Sequence, residues 1–191
     1  MFSLFRRFRS TPLPDADWLI VGLGNPGPTY EATRHNVGFM AIDEFGISLK
    51  PRSNVRAEIS VLGRALLVKP LTFMNLSGEA VGALARELDI PADHVVVIHD
   101  ELDLPAGTVR LKAGGNENGH NGLKSITEHL GTRDYIRVRV GIGRPPTGVP
   151  VPDYVLGAVD KPVSDDAADA ARLVVEQGLA KAQNEIHSRQ R

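Results

Sequence analysis

Trp18-Leu19-Ile20-Val21-Gly22-Leu23-Gly24-Asn25-Pro26-Gly27 joins an apolar run to a turn dense in glycine and proline. Trp18–Val21 has the length and apolar character of a buried strand, and Gly22–Pro28 reads as the turn that ends it. Such a strand and turn open an alternating α/β chain, and the turn also matches G-x-G-x-x-G, the dinucleotide-binding pattern. Two features argue against a nucleotide cradle. Pro26 and Pro28 remove backbone N–H groups where a pyrophosphate would need donors. No acid stands about 20 residues on to bind a ribose; Asp43 comes only 16 residues after Gly27. The turn is better read as one that presents the polar side chain of Asn25.

Working outward, a helix is expected from about Thr33 to Phe45, with Val37, Met40, Ala41 and Phe45 inward. Gly46–Asn54 reads as a loop, followed by a hairpin of residues 55–61 and Ala65–Lys69 that turns at Gly63. Val81, Leu84, Ala85 and Leu88 fall at i, i+3, i+4 and i+7, one apolar stripe of a second helix. His94–His99 and Thr108–Leu111 are strand-like. A glycine-rich loop, Gly114–Gly119, leads into a helix carrying Leu123, Ile126, Thr127 and Leu130 on one face, with Gly131 as its stop. Ile136–Ile142 alternates Ile or Val with Arg or Gly, a strand with one basic face. One C-terminal helix is expected from Ser164, which can cap it, with Val175, Leu179, Ala182 and Ile186 buried. Strands and helices interleave without repeats, so the class is α/β: a single domain with a twisted mixed β-sheet flanked by helices.

The 191 residues suffice for one domain with a real core. No apolar run approaches the roughly 18 residues of a membrane span. Cysteine is absent, which excludes a disulfide framework, a thiolate metal site and a cysteine nucleophile, and suits a reducing cytoplasm. The net charge of −1 is unlike that of a dedicated nucleic-acid binder, but its distribution is uneven. Between Pro105 and Pro145 stand seven basic residues (Arg110, Lys112, Lys124, Arg133, Arg137, Arg139, Arg144) against three acids (Glu117, Glu128, Asp134). That local excess is able to meet phosphates. Residues 1–17 carry Arg6, Arg7 and Arg9 among aromatic and aliphatic residues with no acid before Asp15. They read as a flexible basic extension ahead of a domain over 18–191, and their composition also resembles an organelle transit peptide.

Four polar motifs concentrate the chemistry. Beside the Asn25 turn lies Tyr30-Glu31-Ala32-Thr33-Arg34-His35-Asn36. His35 can serve as a base if a carboxylate orients it, and Asp100, in Val97-Ile98-His99-Asp100-Glu101-Leu102-Asp103 at a strand end, is the candidate partner. The same acid-rich run invites a metal reading; alternation places His99 and Asp100 on opposite strand faces, which makes a poor chelate. Leu71-Thr72-Phe73-Met74-Asn75-Leu76-Ser77-Gly78 offers Asn75 and Ser77, either of which could simply cap the next helix. Lys112 precedes the glycine loop, and Gly119-His120-Asn121-Gly122 closes it.

GLGNPG, TRHN, TFMNLSG, HDELDLP, GHNGLKSI and RVRVGIGRP, in this order, resemble the signature blocks of the bacterial-type peptidyl-tRNA hydrolases. The resemblance runs from Trp18 to about Gly157. It implies a phosphorylase/hydrolase-like fold and hydrolysis of the ester between a nascent peptide and tRNA, by a monomeric cytoplasmic enzyme that uses no metal and no cofactor and binds no membrane. It implies His35 as the general base, Asp100 as its orienting carboxylate, and Asn25 beside them. Asn25, Asn75 and Asn121 would bind the peptide main chain, with Asn75 or Asn121 supplying the oxyanion donor; Tyr30, Phe73, Met74 and His120 would line the substrate pocket. Lys112 and Arg139 would hold the tRNA 5′-phosphate. A non-catalytic RNA-binding relative of the same fold is the alternative. The chain departs from the family at Asn116-Glu117-Asn118, where Glu117 would sit uncomfortably beside an RNA backbone.

Overall fold

The computed structural model describes residues 11–160, 162 and 164–189. The basic residues of segment 1–10 lie outside these. Seven strands form one sheet in the order β2-β3-β4-β1-β5-β7-β6: β1 (Trp18–Gly22), β2 (Lys50–Arg52), β3 (Ala57–Leu62), β4 (Ala65–Pro70), β5 (Val95–Glu101), β6 (Val109–Ala113) and β7 (Ile136–Gly141). The four inner strands β4, β1, β5 and β7 run parallel, and the outer ones join them antiparallel. The sheet is therefore mixed. Its centre is buried on both faces, as the unbroken burial of all seven β5 residues requires.

Helices α1 (Val37–Asp43), α5 (Ser164–Gln177) and α6 (Leu179–Arg189) cover one face over Ile20, Val96, Ile98, Val138 and Val140. On the other face α2 (Ser77–Glu87) and α3 (Asn121–Leu130) pack over Leu19, Val21, Val68, Val95 and Val97. A short helix, α4 (Val151–Val155), follows β7. After β1 the chain passes along one face to β4, then returns across the other face to β5 on the far side of β1. The strand order thus reverses at β1, and in such sheets ligands collect beyond the carboxyl ends of the strands at this point. Asn25, Met74 and Asp100 all lie there.

The glycines of the opening turn belong to this packing. A Cβ on Gly22 would stand 2.2 Å from the Gly38 carbonyl oxygen, and one on Gly38 would stand 2.3 Å from the Leu23 nitrogen and 2.4 Å from the Ile98 oxygen. A Cβ on Gly24 would enter the Phe39 ring at 2.7 Å. The spacing that resembles a nucleotide fingerprint lets α1 approach the ends of β1 and β5, which brings His35 to the sheet.

Several expectations are corrected. The first helix begins as a 3-10 turn, Arg34–Asn36, and only then becomes α-helical. Gly46–Asn54 is not all loop, since Lys50–Arg52 pairs with β3 as an edge strand. The C-terminal helix is two, broken at Gly178, whose φ of +87° ends α5. Val175 is half-buried and Val174 takes the buried position. The basic face of β7 is only partly open to solvent: Arg139 is half-buried, and Arg137 is 1% exposed. Of segment 1–17, Leu13 and Ala16 pack against the α2 side of the core and Asp17 pairs with Arg64.

Candidate active site

The site is built on the β1 turn. Asn36, 1% exposed, closes that turn with a paired amide contact: its Oδ1 accepts from Asn25 N–H at 2.9 Å, and its Nδ2 donates to the Asn25 carbonyl at 2.9 Å. This contact fixes the Asn25 backbone as a neighbouring strand would. The side chain of Asn25 is fixed in turn, because its Oδ1 accepts from Met74 N–H at 2.7 Å. With the oxygen committed, the amide's N–H2 is what Asn25 has to offer the cleft it lines. Nothing in the sequence reading gave Asn36 a role. Its signal was a carboxamide one residue after a candidate base, beside a turn rich in proline and so poor in its own hydrogen bonds.

His35 leaves the 3-10 turn toward the end of β5. Its Nδ1 lies 3.0 and 2.9 Å from the two carboxylate oxygens of Asp100, a group 4% exposed. A carboxylate only accepts, so Nδ1 carries a proton, and in the neutral ring the lone pair is then on Nε2. Asp100 has a second partner, His120 Nε2, at 2.8 Å from Oδ1. The Nδ1 of His120 accepts from the backbone N–H groups of Gly122 and Leu123 at 3.1 and 3.3 Å, so His120 caps α3. Burial would raise the Asp100 pKa, but the charges and hydrogen bonds of His120 and His35 hold it well below the usual carboxylate range.

His35, Asp100 and His120 are, among the described residues, a group whose ligand atoms converge closely enough for a metal ion. The hydrogen bonds point instead to proton chemistry. His120 Nδ1 is held as an acceptor by two N–H groups, which puts its proton on Nε2, the nitrogen a metal would need bare. His99 does not join the group: its Nδ1 donates to the Asp100 carbonyl at 2.8 Å, and burial, then His120, push its pKa down to about 3.

The cleft over these residues has a volume of about 600 Å³. Asn25, His35, Met74, Asp100 and His120 form its floor, Phe73, Asn75 and Asn121 its rim, and Val151, Val155 and Leu156 an apolar wall. Phe73 is 59% exposed. The Asn75 and Asn121 side chains are exposed and have no hydrogen-bond partner among the described residues. Tyr30 stands apart from the cleft lining, half-buried on the turn after Pro28. Arg34 pins the α4 wall: it donates to the Tyr154 carbonyl at 3.1 Å, stacks on the Tyr154 ring at 4.1 Å and pairs with Asp160 at 3.0 Å.

Lys112 and Arg139 lie on one face of the β6–β7 ribbon, Lys112 opposite Arg137 and Arg139 opposite Arg110. They are diagonal neighbours, about 7–8 Å apart in such pairs with the Cβ atoms somewhat closer, a span two long cationic side chains can close on one phosphate. Arg137 has a different task. Its guanidinium donates to the carbonyls of Gly115 and Asn116 at 2.6 and 2.7 Å and tethers the glycine loop. Lys112 passes under that loop, so that a Cβ on Gly115 would lie 2.5 Å from its Nζ. Glu117 is turned inward in a two-pronged pair with Arg133 at 2.9 and 3.1 Å, and those bonds bring its pKa down to about 2 against the effect of burial. The acid that looked awkward beside RNA is neutralised within the protein.

No described helix is long and apolar enough to cross a membrane. The family model for peptidyl-tRNA hydrolases matches residues 19–191. Peptidyl-tRNA hydrolase 2 of Corynebacterium glutamicum is 58% identical over 185 residues, covering 93% of this chain and 91% of that one. The peptidyl-tRNA hydrolase of Mycobacteroides abscessus is 49% identical over 191 residues, covering 92% and 97%. The crystal structure of peptidyl-tRNA hydrolase from Acinetobacter baumannii superposes with a TM-score of 0.78 at 33% identity, over 91% of this chain and 96% of that one. Match, identity and fold agree over nearly the whole length, and the chain belongs to the peptidyl-tRNA hydrolase family.

Proposed function

We propose that this chain hydrolyses peptidyl-tRNA with His35 as the general base, a reading carried by the His35–Asp100 contact on the cleft floor. A water in the cleft attacks the carbonyl carbon of the ester between peptide and ribose, and Nε2 of His35 takes its proton. Asp100 holds the Nδ1 proton and favours the imidazolium that forms, as the carboxylate of a Ser-His-Asp triad does, with water in place of the serine. The tetrahedral intermediate collapses when the ribose oxygen leaves, and the proton held at Nε2 passes to it. The products are a tRNA with its hydroxyl restored and a peptide carboxylic acid, which gives up the second proton of the water to solvent and leaves as the carboxylate. An ester is already an activated acyl group, so base and oxyanion donor suffice without a covalent intermediate.

Asn25, Asn75 and Asn121 hold the peptide by its main chain: Asn75 and Asn121 can both donate to C=O and accept from N–H, while Asn25, whose oxygen is taken by Met74 N–H, donates. That selects a backbone over a sequence. Asn75 and Asn121, with unpartnered amides over the cleft, are the candidate oxyanion donors. Phe73 and Met74 pack on peptide or terminal nucleoside, with the ring of His120 on the cleft floor; Tyr30, outside the cleft lining, meets only a part of the substrate that extends beyond it. Lys112 and Arg139 receive the 5′-phosphate, which accounts for tRNA binding by a chain of net charge −1. The protein acts as a cytoplasmic monomer.

The test is release of tRNA from an N-blocked aminoacyl-tRNA by wild type and His35→Ala. Most turnover should be lost and substrate binding retained; unchanged turnover in the variant would sink the general-base assignment.

A further inference from the structure

We propose that His120 is a positioning residue that fixes and partly neutralises the Asp100 carboxylate, and so sets the pH range in which His35 works. The inference rests on His35 as general base and goes beyond it. Its starting observation is that both ring nitrogens of His120 are committed inside the protein. Nδ1 accepts from Gly122 and Leu123 at the start of α3, while Nε2 lies 2.8 Å from Asp100 Oδ1. The ring is 9% exposed at its side chain, so water competes poorly for either contact.

Two consequences follow. The first is geometric. Asp100 stands at the end of β5 and by itself could rotate about χ2; a donor from α3 locks the carboxylate plane so that both oxygens face His35 Nδ1. Because His120 is held by helix N–H groups, the lock is built on a rigid element. The second is electrostatic. A carboxylate that shares its charge with a second N–H is a weaker acceptor toward His35, and imidazolium gains less from it. His120 thereby draws on the same acceptor that His35 uses, and its loss is expected to move the acidic limb of the rate profile upward. The titratable groups nearest His120, and the charged groups of the loop before it, do not substitute for it. The His99 ring meets it edge-on at 5.3 Å with its own proton committed to the Asp100 carbonyl. The Glu117 carboxylate is bound to Arg133, and Arg137 is bound to the loop carbonyls. The His35 ring lies 5.0 Å away.

Substitution can separate the capping role from the proton-holding role. In His120→Asn the short amide still caps α3, since Asn is among the best N-cap residues, but it cannot span to Asp100. In His120→Gln the longer amide can donate to Asp100. The readout is kcat against pH from 5 to 9 on N-blocked aminoacyl-tRNA, with thermal unfolding alongside. For His120→Asn the expectation is a Tm near wild type, a loss in kcat of roughly ten- to hundredfold at pH 7, the range for lost partners of ligating histidines, and an acidic limb moved up in pH. His120→Gln brings the limb back toward wild type. An acidic limb unmoved in both variants, with changes in Tm alone, would show that His120 only caps the helix and would overturn the proposal. Should His120→Asn fail to fold, ring 15N spectra of the wild type at pH 7.5 decide: a proton on Nε2 of His120 supports the inference, and one on Nδ1 overturns it. Either failure leaves the His35→Ala result untouched, so the two claims stand or fall separately.

Discussion

Asn36→Asp exchanges one N–H2 for an oxygen without changing shape, and so tests the clasp that presents Asn25. In the wild type the two contacts are each 2.9 Å long in a site only 1% exposed. The aspartate still accepts from Asn25 N–H. Its second oxygen then faces the Asn25 carbonyl oxygen, so one hydrogen bond becomes a repulsion and a buried acceptor loses its donor. A buried group left unsatisfied costs about 1–3 kcal/mol, more when a charge is involved, which puts the loss at about 2–4 kcal/mol at neutral pH. Against a typical total of about 5–15 kcal/mol the variant still folds. The pH dependence has a definite sign. Burial and the facing carbonyl oxygen favour the protonated acid, so the folded-state pKa of the new carboxyl stands above its unfolded value of about 3.9. The deficit is therefore full above the folded pKa and shrinks as pH falls toward 3.9, because the protonated group can donate again. Urea unfolding of wild type and variant at pH 7.5 and 5.0 measures it. A variant within about 0.5 kcal/mol of wild type at pH 7.5, or a gap that does not narrow at pH 5.0, would refute the reasoning.

Gly38→Ala places a Cβ 2.3–2.6 Å from the Leu23 and Ile98 backbones; it should cost at least ~1–3 kcal/mol and lower Tm by roughly 2–12 °C, with calorimetry as the check. Glu117→Gln should cost about 1 kcal/mol at pH 7, since Arg133 is solvent-screened. The folded pKa is depressed from 4.5 to about 2, so this contribution is whole above 4.5 and lost as pH falls through about 2; wild type and variant should converge in acid denaturation over that window. Lys112→Ala combined with Arg139→Ala should weaken tRNA binding and spare hydrolysis of a minimal ester lacking the 5′-phosphate; equal losses on both substrates would count against the clamp.

The elements best read from sequence were those whose burial dictates their pattern. β1, β4 and β5 are covered on both faces and show it as apolar runs, and the stripe of α2 follows from its single buried face. β2 escaped because Lys50-Pro51-Arg52 is an exposed edge with nothing to bury, and its proline suits an edge. Gly178 was read through because helical periodicity resumes beyond it, whereas its backbone conformation breaks the helix. Arg137 looked like surface because alternation reports which sheet face a residue takes, not what loop then covers that face. Within the site, residue identities could be read but their connections could not. His35 and Asp100 stand 65 positions apart, and only the reversal of strand order at β1 joins them. The second partner of Asp100 depends on His120 lying at the start of a helix that packs beside β5, which no local spacing announces.

The central claim is that His35 is presented as a base, with its proton on Nδ1 held by Asp100 and its lone pair on Nε2 turned to the cleft. Long-range 1H–15N correlation spectra of the histidine rings, with His35 assigned by its loss in His35→Ala, measure this without substrate. The expected result at pH 7.5 is a His35 ring protonated at Nδ1 and bare at Nε2, with the Nδ1 proton shifted far downfield by the carboxylate and that shift lost in Asp100→Asn. A ring protonated at Nε2 would leave no base facing the ester and would contradict the account.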